Sequence, residues 1–145
     1  SSSSTKSGSG KTTGDTSKLP TITGVNGESI VNICVSMLGV PYDWAGESRD
    51  GVDCSGLVVY AYRQIGIGLP HQSNSLVKCG VSISRSDIAV GDIVCWDMRG
   101  SSDTVEHVGI YVGGGQVIHA SSSRDQVEYG SLDMYPIVSI RRIIA

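Results

Sequence analysis

Phenylalanine is absent from this 145-residue chain, so its 6% aromatic content is Trp and Tyr alone, and proline and cysteine number only four each. No apolar run approaches the ~18 residues of a membrane helix, and the start lacks the charged-then-apolar pattern of a signal peptide. Membrane insertion is therefore not expected, and the chain reads as a mature or excised fragment. A net charge of −3 excludes the broad basic face of a general nucleic-acid binder. Cys34, Cys54, Cys79 and Cys95 lie 20, 25 and 16 residues apart, so no two form the close pair of a zinc ribbon or redox site. There is no helical His pair for a zinc hydrolase either, and no metal or cofactor is expected. For an exported protein a disulfide among three possible pairings stays open. No internal repeat is present.

What the chain does have begins with a compositional break. The first 20 residues hold 7 Ser, 4 Thr and 3 Gly, with no apolar residue before Leu19. Such a stretch cannot bury enough surface to offset the entropy of ordering it, and residues 1–20 read as a flexible linker. Lys6, Lys11 and Lys18 against Asp15 give it +2, leaving −5 on residues 21–145. A tether implies a neighbouring domain in the parent chain. Residues 21–145 suit one compact domain, with monomer as the default.

Ile30, Ile33, Cys34, Met37 and Leu38 recur at the helical period before Gly39, predicting a helix over roughly 28–38. Pro, Gly and Asp make 40–51 a loop, with Tyr42 and Trp44 in it. Asp53 then looks like an N-cap, and Leu57, Val58, Ala61 and Ile65 mark a second helix ending at Gly66 or Gly68. The period changes in the second half, where 93–96, 108–112, 117–119 and 137–140 are short β-rich runs. They predict strands adjacent in order, hence an α+β domain with N-terminal helices packed on one face of a mostly antiparallel sheet.

Cys54 falls in the first turn of the second helix, where unpaired amides and the helix dipole favour a thiolate. It extends the apolar stripe and so points at the body of the domain, as an inert buried thiol or as a nucleophile met by a partner on the sheet. If Gly113-Gly114-Gly115 is a hairpin loop, residue 107 pairs opposite 121 and His119 is the diagonal neighbour of His107 on the same face. A two-residue loop would shift the register by one and separate them. Gly109 leaves open space beside His107. Cysteine, histidine and a third polar group form the general arrangement of thiol acyl transfer. In it Cys54 attacks a carbonyl, His107 holds the thiolate and protonates the leaving amine, and His119 orients His107. The amide of Cys54 and the hydroxyl of Tyr42 face the oxyanion.

Six stretches now resemble one family: Pro41-Tyr42-Asp43-Trp44-Ala45-Gly46, Asp53-Cys54-Ser55-Gly56-Leu57-Val58, Leu69-Pro70-His71-Gln72-Ser73, Val90-Gly91-Asp92-Ile93-Val94, 107–113 and Val117-Ile118-His119-Ala120. In order and spacing they are similar to the NlpC family of cell-wall cysteine peptidases, over roughly residues 28–143. The resemblance implies a papain-like α+β fold, no cofactor, and hydrolysis of peptidoglycan stem peptides at the bond joining γ-D-glutamate to diaminopimelate or lysine. It implies a Cys54, His107 and His119 triad assisted by Tyr42, with Asp53 and Ser55 holding the substrate, often by its amino terminus. Action would then be extracellular or in the cell wall. Ala45-Gly46 departs from the family's common Gly-Gly, and His71 stands where Arg is frequent.

The bland readings differ residue by residue. Asp53 serves as a helix cap or an amine ligand, His71 as a surface-loop residue or a substrate contact, and Trp44 as a groove-lining platform for peptide or glycan. Trp96, Cys34 and Cys95 fit core packing. Asp97, Asp103 and Glu106 fit a solvated acidic loop. Three classes of function follow: a stem-peptide endopeptidase, a thiol-dependent amidase or other acyl transferase with the same triad, and a non-catalytic wall-binding module. The last is disfavoured by an intact Cys, His and His set.

Overall fold

A capping box starts the first helix. Asn26 Oδ1 accepts from the Ser29 amide at 3.2 Å, Ser29 Oγ accepts from the Asn26 amide at 3.3 Å, and helix α1 runs Gly27–Ser36. Its Ile30 and Cys34, with Met37 at its C-cap, are fully buried. The computed structural model describes residues 26–44, 46–97, 107–121 and 123–144. The linker expected over 1–20, with Ala45, Asp103 and Glu106, lies outside the described residues.

Helix α2 spans Cys54–Arg63 and is capped by Asp53, whose Oδ1 accepts from the Gly56 amide at 2.6 Å. Leu57, Val58 and Ala61 are fully buried as their spacing predicts, yet Ser55, Gly56, Val59 and Tyr62 are buried too, so the helix is sunk into the body on more than one side. It gives way at Gly66, which has a φ of 90°. A single turn, α3, follows at Ser73–Leu76.

Among the described residues the strands are β1 (Glu47–Ser48), β2 (Gly51–Val52), β3 (Val81–Ser82), β4 (Ile93–Trp96), β5 (His107–Gly113), β6 (Gln116–Ser121), β7 (Gln126–Ser131) and β8 (Ile137–Arg142). β1 and β2 form a small antiparallel hairpin inside the segment expected to be irregular, pairing Glu47 with Val52 and Ser48 with Gly51. The other six make one antiparallel sheet in the order β3-β8-β4-β5-β6-β7. Two expectations change here. β8 returns to the far side of β4 instead of following β6, and β7 was not foreseen, because its run of Gln, Val, Glu, Tyr, Gly and Ser buries only Val127. That composition suits an edge strand with one apolar contact.

Alternation sorts the sheet into two faces. Ile93 and Cys95 of β4, Val108 and Ile110 of β5, and Ile118 and Ala120 of β6 pack with α1 and α2 in the main core. Val94, Trp96 and Val117 face the other way, against Ile83, Leu132 and Ile140. β4 is thus buried on both faces, which explains its unbroken apolar run.

At Gly56, α2 lies against the backbone of Gly46. A methyl group there would overlap the Gly46 carbonyl oxygen and sit 2.8 Å from the capping Asp53 Oδ1. Overpacking of this kind costs about 1–3 kcal/mol, so Gly56→Ala is expected to lower the urea midpoint accordingly without changing the slope of unfolding. An unchanged midpoint would show that the loop yields freely.

Candidate active site

Cys54 is the first residue of α2, immediately after the cap, and is partly buried against the main core. The amides of Val108, Ser55 and Cys54 itself approach its sulfur and favour the thiolate, while the nearby Asp53 carboxylate opposes it. Burial outweighs the amides and pushes the thiol above its ordinary value. This corrects the expectation drawn from the helix start, where the favourable amides are present but desolvation is larger. Cys34 and Cys95 are buried thiols pushed up to about 12, and all four cysteines are free.

The two histidines come together by a route that the sequence did not indicate. The hairpin between β5 and β6 turns on Gly114 and Gly115 only, with φ of 64° and 76°, the sign that a type I′ turn needs at both central residues. A two-residue loop alone would separate the imidazoles. A bulge between Tyr111 and Gly113 supplies one extra residue to β5 and restores the register, so that Ile110 pairs with Ile118 and Tyr111 with Val117. Continued along the strands, that register sets His107 opposite Ser121 and His119 on the same face. His107 Nε2 lies 2.8 Å from His119 Nδ1, and the rings meet edge to face with centroids 5.0 Å apart.

The space at Gly109 is filled, not open. A Cβ there would lie 3.0 Å from Trp96 Cη2 and 3.1 Å from His119 Cβ. Trp96, opposite His107 in the β4–β5 register, stacks on its ring with centroids 5.5 Å apart and is anchored by Nε1 donating to the Leu132 carbonyl at 2.8 Å. Tyr135 meets the same imidazole edge to face at 6.0 Å. Burial, and secondarily His119, lowers the His107 pKa to about 4; burial lowers that of His119 as well, opposed by the Glu128 carboxylate. Both rings therefore rest neutral at neutral pH, one donating across the 2.8 Å contact and one accepting.

Tyr42 is held beside β2 by a bridge to Val52 and by the Tyr42 amide donating to the Asp125 carbonyl at 2.9 Å. Burial raises its pKa, with the Cys54 and Asp53 charges adding to the effect, so the hydroxyl keeps its proton within reach of both groups' fields. Trp44 is 82% exposed at the tip of the same segment. Asp53 is both the cap and a partner of the Ser55 hydroxyl at 3.3 Å. His71 is no loose surface residue: Nε2 lies 2.7 Å from Asp53 Oδ1 and Nδ1 2.5 Å from Glu47 Oε2. Asp97, expected in a solvated loop, is fully buried at the end of β4.

Three participants escaped the sequence reading: Trp96 as the surface under His107, Tyr135 at its edge, and Glu47 as the partner of His71. The first could have been found only from the β4–β5 register, which no local spacing encodes.

Residues 39–139 match the family model described as the NlpC/P60 family. A probable endopeptidase of Mycobacterium tuberculosis is 36% identical over 115 residues, 79% of this chain and 29% of that protein. A γ-D-glutamyl-L-lysine dipeptidyl-peptidase of Bacillus subtilis is 31% identical over 101 residues, 70% of this chain and 34% of that one. Among solved structures, the peptidoglycan hydrolase RipB of Mycobacterium tuberculosis superposes with a TM-score of 0.72 at 28% identity, covering 82% of this chain and 65% of its own. The chain thus spans about a third of the length of these two sequence relatives. A match over residues 39–139 of an α+β domain that carries a cysteine at a helix start and a histidine pair on its sheet leads to one assignment: the chain belongs to the NlpC/P60 family.

Proposed function

We propose that this domain is a cysteine peptidase that hydrolyses peptidoglycan stem peptides at the bond between γ-D-glutamate and diaminopimelate or lysine. The observation that carries the reading is the His107–His119 pair at 2.8 Å, with His107 on the strand whose next amide, that of Val108, approaches the Cys54 sulfur. The γ-D-glutamyl bond is supported by the likeness to the Bacillus subtilis relative, a γ-D-glutamyl-L-lysine dipeptidyl-peptidase. Peptidoglycan lies outside the membrane, so the site of action is the cell wall. A neighbouring domain does the targeting, since residues 21–145 carry −5 against an anionic wall.

The mechanism follows from the resting protonation. Burial disfavours a lone thiolate and a lone imidazolium, so the pair starts as thiol and neutral imidazole. As sulfur attacks the scissile carbonyl carbon, its proton passes to His107 Nδ1, and Nε2–H donates to His119 Nδ1 throughout. The amide of Cys54 and the Tyr42 hydroxyl donate to the oxyanion. His107 then returns the proton to the departing amine, leaving a thioester on Cys54. Water, deprotonated by His107, attacks that thioester and releases the γ-D-glutamyl carboxylic acid with the thiol restored. Creating two opposite charges side by side costs less in this buried site than creating either alone.

Incubation with the tripeptide L-Ala-γ-D-Glu-diaminopimelate, followed by mass spectrometry, is expected to show L-Ala-D-Glu with the wild type and a loss of more than about 10³-fold with Cys54→Ala. Release of lactyl-linked glycan from intact peptidoglycan instead would replace the peptidase reading with the amidase one.

His119→Ala is expected to lower kcat by about 10²-fold with little change in KM, because it removes the group that fixes the His107 ring. The acidic limb of kcat/KM should fall near pH 4, not near the ordinary imidazole value of about 6.5. A limb at the ordinary value would show that His107 is not desolvated in solution.

A further inference from the structure

His71 contacts two carboxylates at once, which sets its protonation by geometry. An ionised carboxylate only accepts hydrogen bonds, whereas a neutral imidazole has one donor and one acceptor. Nδ1 at 2.5 Å from Glu47 Oε2 and Nε2 at 2.7 Å from Asp53 Oδ1 can both be hydrogen bonds only if both ring nitrogens carry protons. With a neutral ring, one contact would set a lone pair against a carboxylate.

Among the described residues, charged groups reach the ring from both sides. Glu47 lies on β1, Asp53 and the Ser55 hydroxyl at the start of α2, and Arg63, which pairs with Glu47, in the last turn of α2. Tyr42, from the preceding segment, lies within the field of Asp53. Glu47, Asp53, Arg63 and a protonated His71 sum to zero; a neutral His71 leaves −1 beside the nucleophile.

We infer that His71 is a positioning residue, a protonated clasp that ties the β1–β2 hairpin to the cap of the nucleophile's helix and lets go as it loses its proton. The hairpin matters because it carries the oxyanion side of the site. Val52 of β2 donates its amide to the Pro41 carbonyl at 3.1 Å and accepts from the Asp43 amide at 3.0 Å, so Tyr42 moves with the hairpin. Asp53 holds the other side through the Gly56 amide. The clasp therefore fixes the Tyr42 hydroxyl relative to Cys54. Asp53 and Glu47 raise the pKa of His71 against the opposing effect of burial, the same direction as the geometry requires.

The sign follows from linkage. A group whose pKa is raised on folding contributes stability that is fully present below its unfolded value, about 6.5, and is lost as pH rises through the folded value. Nitrogen-detected imidazole spectra of the wild type, assigned with His71→Gln, are expected to show both His71 nitrogens protonated at about pH 6.5 and titrating above it. The thermal midpoint of the wild type should exceed that of His71→Gln by a few degrees at about pH 5.5, and the gap should close by about pH 8.5. His71→Arg, which donates to both carboxylates at every pH, should keep its midpoint advantage and remove the transition.

The catalytic readout rests on the hydrolase reading above. Relative to His71→Arg, the wild-type kcat on the tripeptide should fall several-fold between about pH 6 and about pH 8.5, with KM moving less. A His71 titration at or below the ordinary value, or a midpoint gap that does not change with pH, would overturn the clasp. No turnover by any variant, with the titration and the gap as expected, would overturn the hydrolase reading and leave the clasp standing.

Discussion

One extra residue in β5 decides whether the site exists. Strand geometry sends alternate side chains to opposite faces, so two histidines twelve positions apart across a tight turn share a face only in one register. The Gly114-Gly115 turn alone would give the wrong one, and the bulge between Tyr111 and Gly113 corrects it. The consequences spread from there. His107 falls opposite Trp96 and stacks on it, His119 comes within 2.8 Å of His107, and Val108 turns to the helix face, where its amide approaches Cys54.

The surroundings then set the chemistry. Trp96 and Tyr135 cover the His107 ring, while the main core closes around the thiol. Burial leaves neither charge favoured alone, so in the proposed reaction the proton moves only when a carbonyl is there to accept the sulfur's electrons. A thiol held this way is also protected from indiscriminate oxidation, since the thiolate is the reactive species. The helix start still contributes, because the Cys54 and Ser55 amides that approach the sulfur favour negative charge there.

Much of this was legible in the chain itself, and the reasons differ by element. α1 and α2 announced themselves through period and caps, because a helix is specified by neighbours within four positions. β4, β5, β6 and β8 were found as apolar runs, yet the place of β8 beside β4 depends on pairing across more than forty residues, which no window contains. β7 was missed because only Val127 is buried in it. Cys54, His107 and His119 were read from motif and hairpin logic, although the loop length assumed was wrong and the bulge compensated for it. His71 and Glu47 could not be paired in advance, since they come from separate segments that meet only when β1 packs against α2.

The three histidines show how little of a side chain's behaviour belongs to its type. His107 and His119 are held neutral by burial, and His71, between two carboxylates, is held charged. The two kinds of shift act oppositely on the folded state. Between about 4 and the unfolded value of about 6.5, the unfolded chain binds more protons at His107 than the folded chain does, so stability falls as the solution is acidified. Above about 6.5 the folded chain binds more protons at His71, so stability falls as the solution is made alkaline. The histidines by themselves therefore place the stability maximum where the two effects cross, near the pH at which an ordinary imidazole is half protonated. The same crossing is where the catalytic base is neutral while the clasp is still charged, so the protonation states that hold the fold together are those that the proposed chemistry requires.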